Sequence, residues 1–147
     1  MIVETSALGA LAGQVTMVDG AFDPIHPGHV AYFEAAAALG RPVLCNVSPD
    51  DYVSTKHRPF LTQAERGAVL DAFRSLDYVH LSSGSTRDVL VELRPHSYAK
   101  GADWRGRLPA EEVAACEEHQ IEIVYLDTVL ASSTALLDRY ASGDGGD

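Results

Sequence analysis

Short apolar, β-prone runs alternate along the whole chain with segments of helical periodicity, and this alternation limits the chain to an α/β fold. The predicted elements are, in order, strand 14–19, helix 31–39, strand 42–48, helix 62–73, strand 77–82, helix 86–94, strand 96–100, helix 109–119, strand 121–127 and helix 132–141. We therefore predict three layers around a parallel five-stranded sheet with right-handed crossovers. Ligands of such sheets bind beyond the carboxyl ends of the strands, so the loops after the strands are the candidate sites.

Several element boundaries carry local signals that agree with this order. Thr62 and Glu65 have the spacing of a capping box, which begins a helix, and Gly40 follows the predicted helix 31–39 as a terminator. The run 42–48 lacks polar alternation, which is typical of a parallel strand buried on both faces.

The length of 147 residues is typical of one domain with its own core. Hydrophobic residues make up 46% and charged residues 22% of the chain, as in globular rather than disordered proteins. We expect residues 1–147 to form a single domain with its core at about 15–140. The segment 142–147 is polar and glycine-rich, and we expect it to be a flexible tail.

The formal net charge of −10 disfavours non-specific binding to nucleic acid or to an anionic membrane. An anionic substrate would need a local basic pocket. No window has the length and apolar character of a membrane span, and the first residues lack a signal-peptide pattern. Cys45 and Cys116 lie inside apolar runs, as expected of core thiols in a reducing compartment. These features predict a cytoplasmic protein.

The loop 20–29 connects the first predicted strand to the first predicted helix. Helix starts present unpaired N–H groups and a positive dipole end, which favour a phosphate. Gly20 and Gly28 allow close backbone approach, and the imidazoles of His26 and His29 can both donate to phosphate oxygens. The loop therefore looks like a phosphate clamp, with polar loop residues or a zinc-binding pair as the other interpretations of the two histidines.

This loop resembles the G-x-F-D-x-x-H-x-G-H signature of the cytidylyltransferase-like nucleotidyltransferase superfamily. All six fixed positions match, at Gly20, Phe22, Asp23, His26, Gly28 and His29. The resemblance implies a Rossmann-like domain in which His26 and His29 hold a triphosphate and stabilise charge on it during catalysis. It also assigns Ala21 and the remaining motif residues to nucleotide binding.

Further segments resemble the heptose-1-phosphate nucleotidyltransferases, and the resemblance covers about residues 15–140. They are Arg58-Pro59, the stretch from Arg66 to Val79, Lys100-Gly101-Ala102-Asp103-Trp104, and Ser132-Ser133-Thr134. The resemblance implies catalytic roles for Lys56 and Arg66 and acceptor contacts by Arg58 and Asp19. It implies nucleotide contacts by Lys100, Gly101, Asp103, Trp104, Ser132, Ser133 and Thr134. Lys56 could equally be a solvated loop charge, and Ser132 to Thr134 could serve only as a helix cap.

The sequence departs from this group at three positions: Asp19 stands where Asn is common, Ala102 replaces Gly and Trp104 replaces Tyr. The glycerol-3-phosphate cytidylyltransferases carry a late R-T-E-G-I-S-T-T segment, and residues 127–134 here lack its Arg and Gly. However, Asp103-Trp104 matches a Gly-Asp-Asp-Trp loop of that group. On balance we favour ATP over CTP.

The resemblance therefore predicts transfer of a nucleotidyl group from a nucleoside triphosphate to a phosphorylated sugar such as a heptose 1-phosphate, with release of pyrophosphate. The alternatives are a cytidylyltransferase acting on glycerol 3-phosphate or another polyol or phosphonate, and a non-catalytic nucleotide-binding module. Mg²⁺ is expected with the triphosphate, held mainly by phosphates and water, and Asp23 is the one candidate protein ligand. A homodimer is expected by the same resemblance, and any sugar kinase step would come from a separate protein.

Overall fold

The computed structural model describes residues 1–127 and 138–142. In this part of the chain a parallel sheet contains β1 (Ile2–Val3), β2 (Thr16–Gly20), β3 (Val43–Val47), β4 (Tyr78–Leu81), β5 (Ser97–Gly101) and β6 (Glu122–Leu126). The helices are α1 (Pro27–Ala37), α2 (Asp50–Ser54), α3 (Gln63–Asp71), α4 (Thr86–Leu93) and α5 (Ala110–Glu118). Two 3₁₀ helices lie at Thr5–Leu11 and Ala102–Trp104.

The α/β architecture and the parallel sheet are confirmed, but the predicted count of five strands is wrong by one. The sixth is β1, which pairs with β4 through Ile2 opposite Val79 and Val3 opposite His80. A strand of two residues is too short to produce a periodicity, so no sequence pattern marks it. The short helix α2 was missed for the same reason. Most of the predicted helix 132–141 lies outside the described residues. The part of it that is described, 138–141, is helical.

The sheet separates two apolar cores, as the period-2 geometry of strands requires. One contains Val18, Cys45 and Val79 from the sheet with Phe33 of α1 and Leu70 of α3. The other is formed by strand residues of the opposite parity with side chains of the first 3₁₀ helix, α4 and α5: Met17, Leu44, Tyr98, Leu8, Leu90 and Cys116. The helices therefore cover both faces of the sheet, and both cysteines are buried as free thiols.

The strand order β1-β4-β3-β2-β5-β6 creates a topological switch point at the middle of the sheet. After β2 the chain passes through α1, which packs on one core, whereas after β5 it passes through α5, which packs on the other. The connections that leave the neighbouring strands β2 and β5 therefore diverge to opposite faces. A crevice is expected at their carboxyl ends, which is where ligands of such sheets bind.

Within the described residues, no helix is both long enough and apolar enough to cross a membrane.

Candidate functional site

The loop between β2 and α1 is built around the buried ring of Phe22. This ring lies edge-on to Phe33 and His29, at centroid distances of 5.2 and 5.1 Å. A Cβ atom at Gly20 would lie 3.1 Å from the Phe22 ring, which is closer than ordinary van der Waals contact. Gly20 therefore allows Phe22 to fold beneath the loop, and Phe22 reaches this position with a positive φ of 53°.

His26 and His29 lie together at the start of α1. His26 is the N-cap residue, and its ring stacks on that of His29 with a centroid distance of 3.7 Å and an interplanar angle of 22°. The main-chain N–H of His26 donates to His29 Nδ1 over 3.3 Å. An accepting Nδ1 leaves the hydrogen of a neutral imidazole on Nε2, so His29 presents an Nε2–H donor.

The ring of His26 contains a polar atom for which the protein supplies no partner. Within residues 1–127 and 138–142, Nδ1 of His26 is the one buried side-chain nitrogen or oxygen without a hydrogen bond. Such a group costs free energy unless a ligand or water satisfies it. An unsatisfied nitrogen at a helix start is therefore an observation that points to a bound group.

Both histidines are held in the neutral form. Burial lowers the pKa of His26. Burial, and secondarily the charge of His26, lower the pKa of His29 to about 3. The site therefore carries uncharged donors at neutral pH, and an anion beside them would favour their protonation.

Asp23 anchors the loop to the segment that precedes α3. Its buried carboxylate accepts from the main-chain N–H groups of Phe60 over 2.9 Å and Leu61 over 3.3 Å, one to each oxygen. The side chain was expected to contact nucleotide or to hold a metal, but the structure directs both of its oxygens to the protein backbone.

Arg66 lies beneath the loop rather than at its surface. Its guanidinium is completely buried and donates to the carbonyl of Ala21 over 2.7 Å, to Asp50 Oδ1 over 2.8 Å and to the carbonyl of Leu61 over 3.4 Å. These contacts hold the loop from beneath, and the catalytic role that the resemblance implies for Arg66 stays a prediction.

Lys56 and Arg58 are exposed on the segment that Asp23 anchors. Lys56 Nζ lies 4.8 Å from the centre of the Tyr52 ring. In the part of the chain that the structure describes, no acidic side chain pairs with either cation. Both charges remain available to an anionic ligand.

Asp19 and Lys100 meet at the switch point between β2 and β5. Lys100 Nζ lies 3.0 Å from Asp19 Oδ1, and both side chains are nearly buried. The Lys100 ammonium also lies over the Trp104 ring, 4.2 Å from its centre, whereas Asp103 is exposed. Asp19, which was predicted to contact the acceptor substrate, and Lys100, which was predicted to contact the nucleotide, therefore form one ion pair.

Three side chains that sequence reasoning missed complete this cluster. Thr86 Oγ1 donates to Asp19 Oδ2 over 2.7 Å, and Tyr98 Oη lies 3.1 Å from Asp19 Oδ1 and 2.8 Å from Glu112 Oε1. A signal existed for Thr86, because either Ser85 or Thr86 could begin the third predicted helix, 86–94. Ser85 is the N-cap, which leaves the Thr86 hydroxyl for Asp19.

Other predicted site residues have a simpler placement. Gly28 is buried in the first turn of α1, and Gly101 ends β5. Ser132, Ser133 and Thr134 lie outside the described residues. Within residues 1–127 and 138–142, no three His, Cys, Asp or Glu side chains gather as a metal site.

Comparison with known proteins places the chain among nucleotide-handling families. A family model described as cytidylyltransferase-like matches residues 17–136. Similar curated proteins include a bifunctional protein HldE of Methylococcus capsulatus, 39% identical over 95 residues, and one of Haemophilus influenzae, 32% identical over 109 residues. These matches cover 62% and 71% of this chain but only 20% and 22% of the relatives, so the chain spans about a fifth of their length.

Solved structures share the fold. A lipopolysaccharide core biosynthesis protein from Thermoplasma volcanium has a TM-score of 0.68 at 22% identity, over 78% of this chain and 97% of that one. A putative nicotinate-nucleotide adenylyltransferase from Vibrio parahaemolyticus has a TM-score of 0.60 at 18% identity, over 89% of this chain and 88% of that one. At these identities the likeness shows the fold alone.

Proposed function

The chain belongs to the cytidylyltransferase-like family of nucleotidyltransferases, and from this premise we propose that it transfers the nucleotidyl group of a nucleoside triphosphate to a phosphorylated sugar. ATP is the proposed donor and a heptose 1-phosphate the proposed acceptor, with pyrophosphate as the second product. The acceptor is supported by the segments at Arg58, Arg66 and 100–104 that resemble the heptose-1-phosphate group.

The observation that carries this proposal is the pair of stacked imidazoles at the start of α1. His26 has a buried Nδ1 without a protein partner, and the hydrogen bond to His29 Nδ1 leaves an Nε2–H donor on that ring. Both groups lie at a helix N-terminus, whose dipole favours negative charge. This combination suits the phosphates of a nucleotide.

In the proposed reaction an acceptor phosphate oxygen attacks the α-phosphorus in line and pyrophosphate leaves, so no covalent enzyme intermediate forms. The protein then acts by positioning and by charge stabilisation. His26 and His29 donate to the α- and β-phosphates as negative charge builds on the leaving group. Lys56 and Arg58, which are exposed on the anchored segment, attract the phosphate of the acceptor.

Lys100 and Arg66 have supporting parts in this proposal. Lys100 is held by Asp19 and lies over Trp104, at the crevice where the nucleotide would enter between β2 and β5. Arg66 holds the carbonyl of Ala21, so it fixes the backbone that cradles the phosphates. Asp103 and Trp104 are proposed to contact the base.

The described residues do not fit a protein-held magnesium ion. Asp23 gives both carboxylate oxygens to backbone N–H groups, and the Asp19 oxygens accept from Lys100 and Thr86. Mg²⁺ would instead enter with the triphosphate, bound through phosphate oxygens and water. No step of the proposed mechanism passes through it.

A second candidate uses CTP and a polyol phosphate, and the Asp103-Trp104 pair is the feature that favours it. Pyrophosphate release, measured for each nucleoside triphosphate against heptose 1-phosphate and glycerol 3-phosphate, separates the two. Turnover only with ATP and the sugar phosphate supports the first candidate, and turnover only with CTP and glycerol 3-phosphate replaces it with the second. Nucleotide binding without turnover for any pair would favour a non-catalytic module.

A further inference from the structure

The hydroxyl of Tyr98 lies between two carboxylates. Its oxygen is 2.8 Å from Glu112 Oε1 and 3.1 Å from Asp19 Oδ1. A phenol has one hydrogen, so Tyr98 can donate to only one carboxylate at a time. Burial raises the pKa of Tyr98 far above its usual range, so the phenol keeps that hydrogen. If both carboxylates were ionised, one of these short contacts would place two acceptor oxygens together.

A proton on Glu112 resolves this conflict. The protonated carboxyl donates to Tyr98 Oη, and Tyr98 then donates to Asp19, which also accepts from Lys100 Nζ and Thr86 Oγ1. Each hydrogen bond in the series from Glu112 through Tyr98 to Asp19 then joins one donor to one acceptor. The Lys100 ammonium lies 3.0 Å from Asp19 Oδ1, so the two side chains form an ion pair at the end of this series.

The surroundings of Glu112 agree with this arrangement. Burial is the main cause that raises the pKa of its carboxyl, and Asp19 and Glu111 add to the rise; the charge of Lys100 lowers it, as would a hydrogen bond from Tyr98 when that hydroxyl donates to Glu112 instead of Asp19. Glu111 shares the first turn of α5 with Glu112, but its side chain is exposed. The helix dipole acts on both residues, so it is not what distinguishes them.

Asp19, Thr86, Tyr98, Lys100 and Glu112 form one cluster, and its net charge depends on the proton on Glu112. With Glu112 ionised, the cluster has two carboxylates and one ammonium, and with Glu112 protonated its charges cancel. The cluster lies at the carboxyl ends of β2 and β5, directly before the loop in which the triphosphate is proposed to bind. A highly charged anion there would favour the neutral cluster.

We propose that Glu112 is a positioning residue that couples nucleotide binding to the uptake of a proton. Without nucleotide the Glu112 carboxyl exchanges this proton with solvent, and binding shifts the equilibrium to the protonated form, in which the Glu112–Tyr98–Asp19 hydrogen bonds fix the Lys100 ammonium at the crevice. This inference rests on the proposed function, because it takes the triphosphate to bind beside Asp19 and Lys100.

The test is titration calorimetry of ATP and of inorganic tripolyphosphate, between about pH 5.5 and 8, in buffers of different ionisation enthalpy. The proteins are the wild type, E112Q and the matched control E111Q. A glutamine at 112 can donate to Tyr98 without a proton from solvent. E112Q should therefore bind more tightly than the wild type at pH 8 and take up fewer protons, by up to about one per ligand.

As the pH is lowered, the advantage of E112Q should shrink by at most about tenfold per pH unit, the limit for one proton. E111Q removes only the smallest of the causes that act on the pKa of Glu112 and leaves the hydrogen bonds in place, so it should stay much closer to the wild type than E112Q does. Titration of His26, His29 and the ligand phosphates is common to all three proteins and cancels in the comparison. A merely structural role would instead weaken binding by the same factor at every pH.

Equal proton uptake by the wild type and E112Q would overturn the coupling while leaving the proposed function intact. If neither ligand binds the wild type at any pH, the proposed function fails and the coupling fails with it. Urea unfolding then still decides the proton arrangement: as the pH rises above about 4.5 the wild type should lose stability relative to E112Q, because the folded pKa of Glu112 is raised from that value and the histidine titrations are common to both proteins. Parallel pH dependence in both proteins would contradict the arrangement itself.

Discussion

The ring of His29 stacks on the ring of His26 at a centroid distance of 3.7 Å, and the main-chain N–H of His26 donates to His29 Nδ1. One residue of the pair thereby sets the tautomer of the other. Because Nδ1 accepts, the hydrogen of His29 lies on Nε2, where it can reach a ligand. The His29 Nε2–H donor is therefore already in place before a ligand binds.

Two substitutions at His29 distinguish the roles of its two ring nitrogens. His29→Asn keeps an oxygen that can accept from the His26 N–H but removes the Nε2–H, whereas His29→Gln places an amide N–H near the Nε2 position. We expect kcat to fall by about 10²–10³ in His29→Asn, as for loss of a donor that acts on transition-state charge, and by less in His29→Gln. Steady-state pyrophosphate release measures both. Equal losses in the two variants would contradict the assigned tautomer.

The low pKa of His29 predicts a loss of stability in acid. The unfolded chain binds a proton near pH 6.5 and the folded chain only near pH 3, so stability falls as the pH drops through this window, by at most about 1.4 kcal/mol per unit for this group. Urea unfolding between pH 6.5 and 5 measures the slope, and His29→Gln should have a shallower one. His96→Gln, at an exposed histidine before β5, is the control and should keep the wild-type slope.

Asp23 is predicted to stabilise the loop through its two backbone partners. Asp23→Asn keeps one acceptor oxygen and leaves a buried N–H group unsatisfied. We expect the free energy of unfolding to fall by about 1–3 kcal/mol. Asp51→Asn, at an exposed position in α2, should change it by less than about 0.5 kcal/mol. If the two variants are equally stable, the anchoring contribution of Asp23 is refuted.

Arg66 is predicted to act through Ala21. Lysine cannot reproduce the separate donors that reach Ala21, Leu61 and Asp50, so Arg66→Lys should leave a buried carbonyl unsatisfied, with a loss of about 1–3 kcal/mol of stability. Turnover should also fall, because the phosphate-binding backbone is less firmly held. Arg87→Lys, on the exposed face of α4, should change neither quantity. Unfolding and pyrophosphate release in both variants provide the test.

The sequence was most informative where the signal is local. The strand, loop and helix around 14–39 follow from consecutive residues, as does the start of α3 at Thr62, whose hydroxyl accepts from the Glu65 N–H as the capping box predicts. The roles predicted for His26 and His29 remain predictions, but both residues lie together, as the motif spacing suggested.

The rest of the site depends on contacts between distant parts of the chain. Asp19 meets Lys100 because β2 and β5 are neighbours, and alternation of strands and helices does not specify strand order. Asp23 bonds to residues 60 and 61, and Glu112 reaches Tyr98 from the following helix. No local pattern marks these partners, so the sequence did not predict the contacts of Asp19 and Asp23 within the protein or the place of Glu112 beside them; the ligand contacts predicted for Asp19 and Asp23 stay predictions.

The most direct test of the account is thermal unfolding with ATP, CTP, GTP and UTP, each with magnesium, for the wild type, His29→Asn and the control His96→Asn. A nucleotide at about a hundred times its dissociation constant should add about 2.7 kcal/mol of stability, a shift of several degrees for a domain of this size. We predict that ATP shifts the wild type and His96→Asn alike and shifts His29→Asn by less. A shift of equal size in all three proteins would contradict a triphosphate site at the histidine pair, and the absence of any shift in the wild type would contradict nucleotide binding itself.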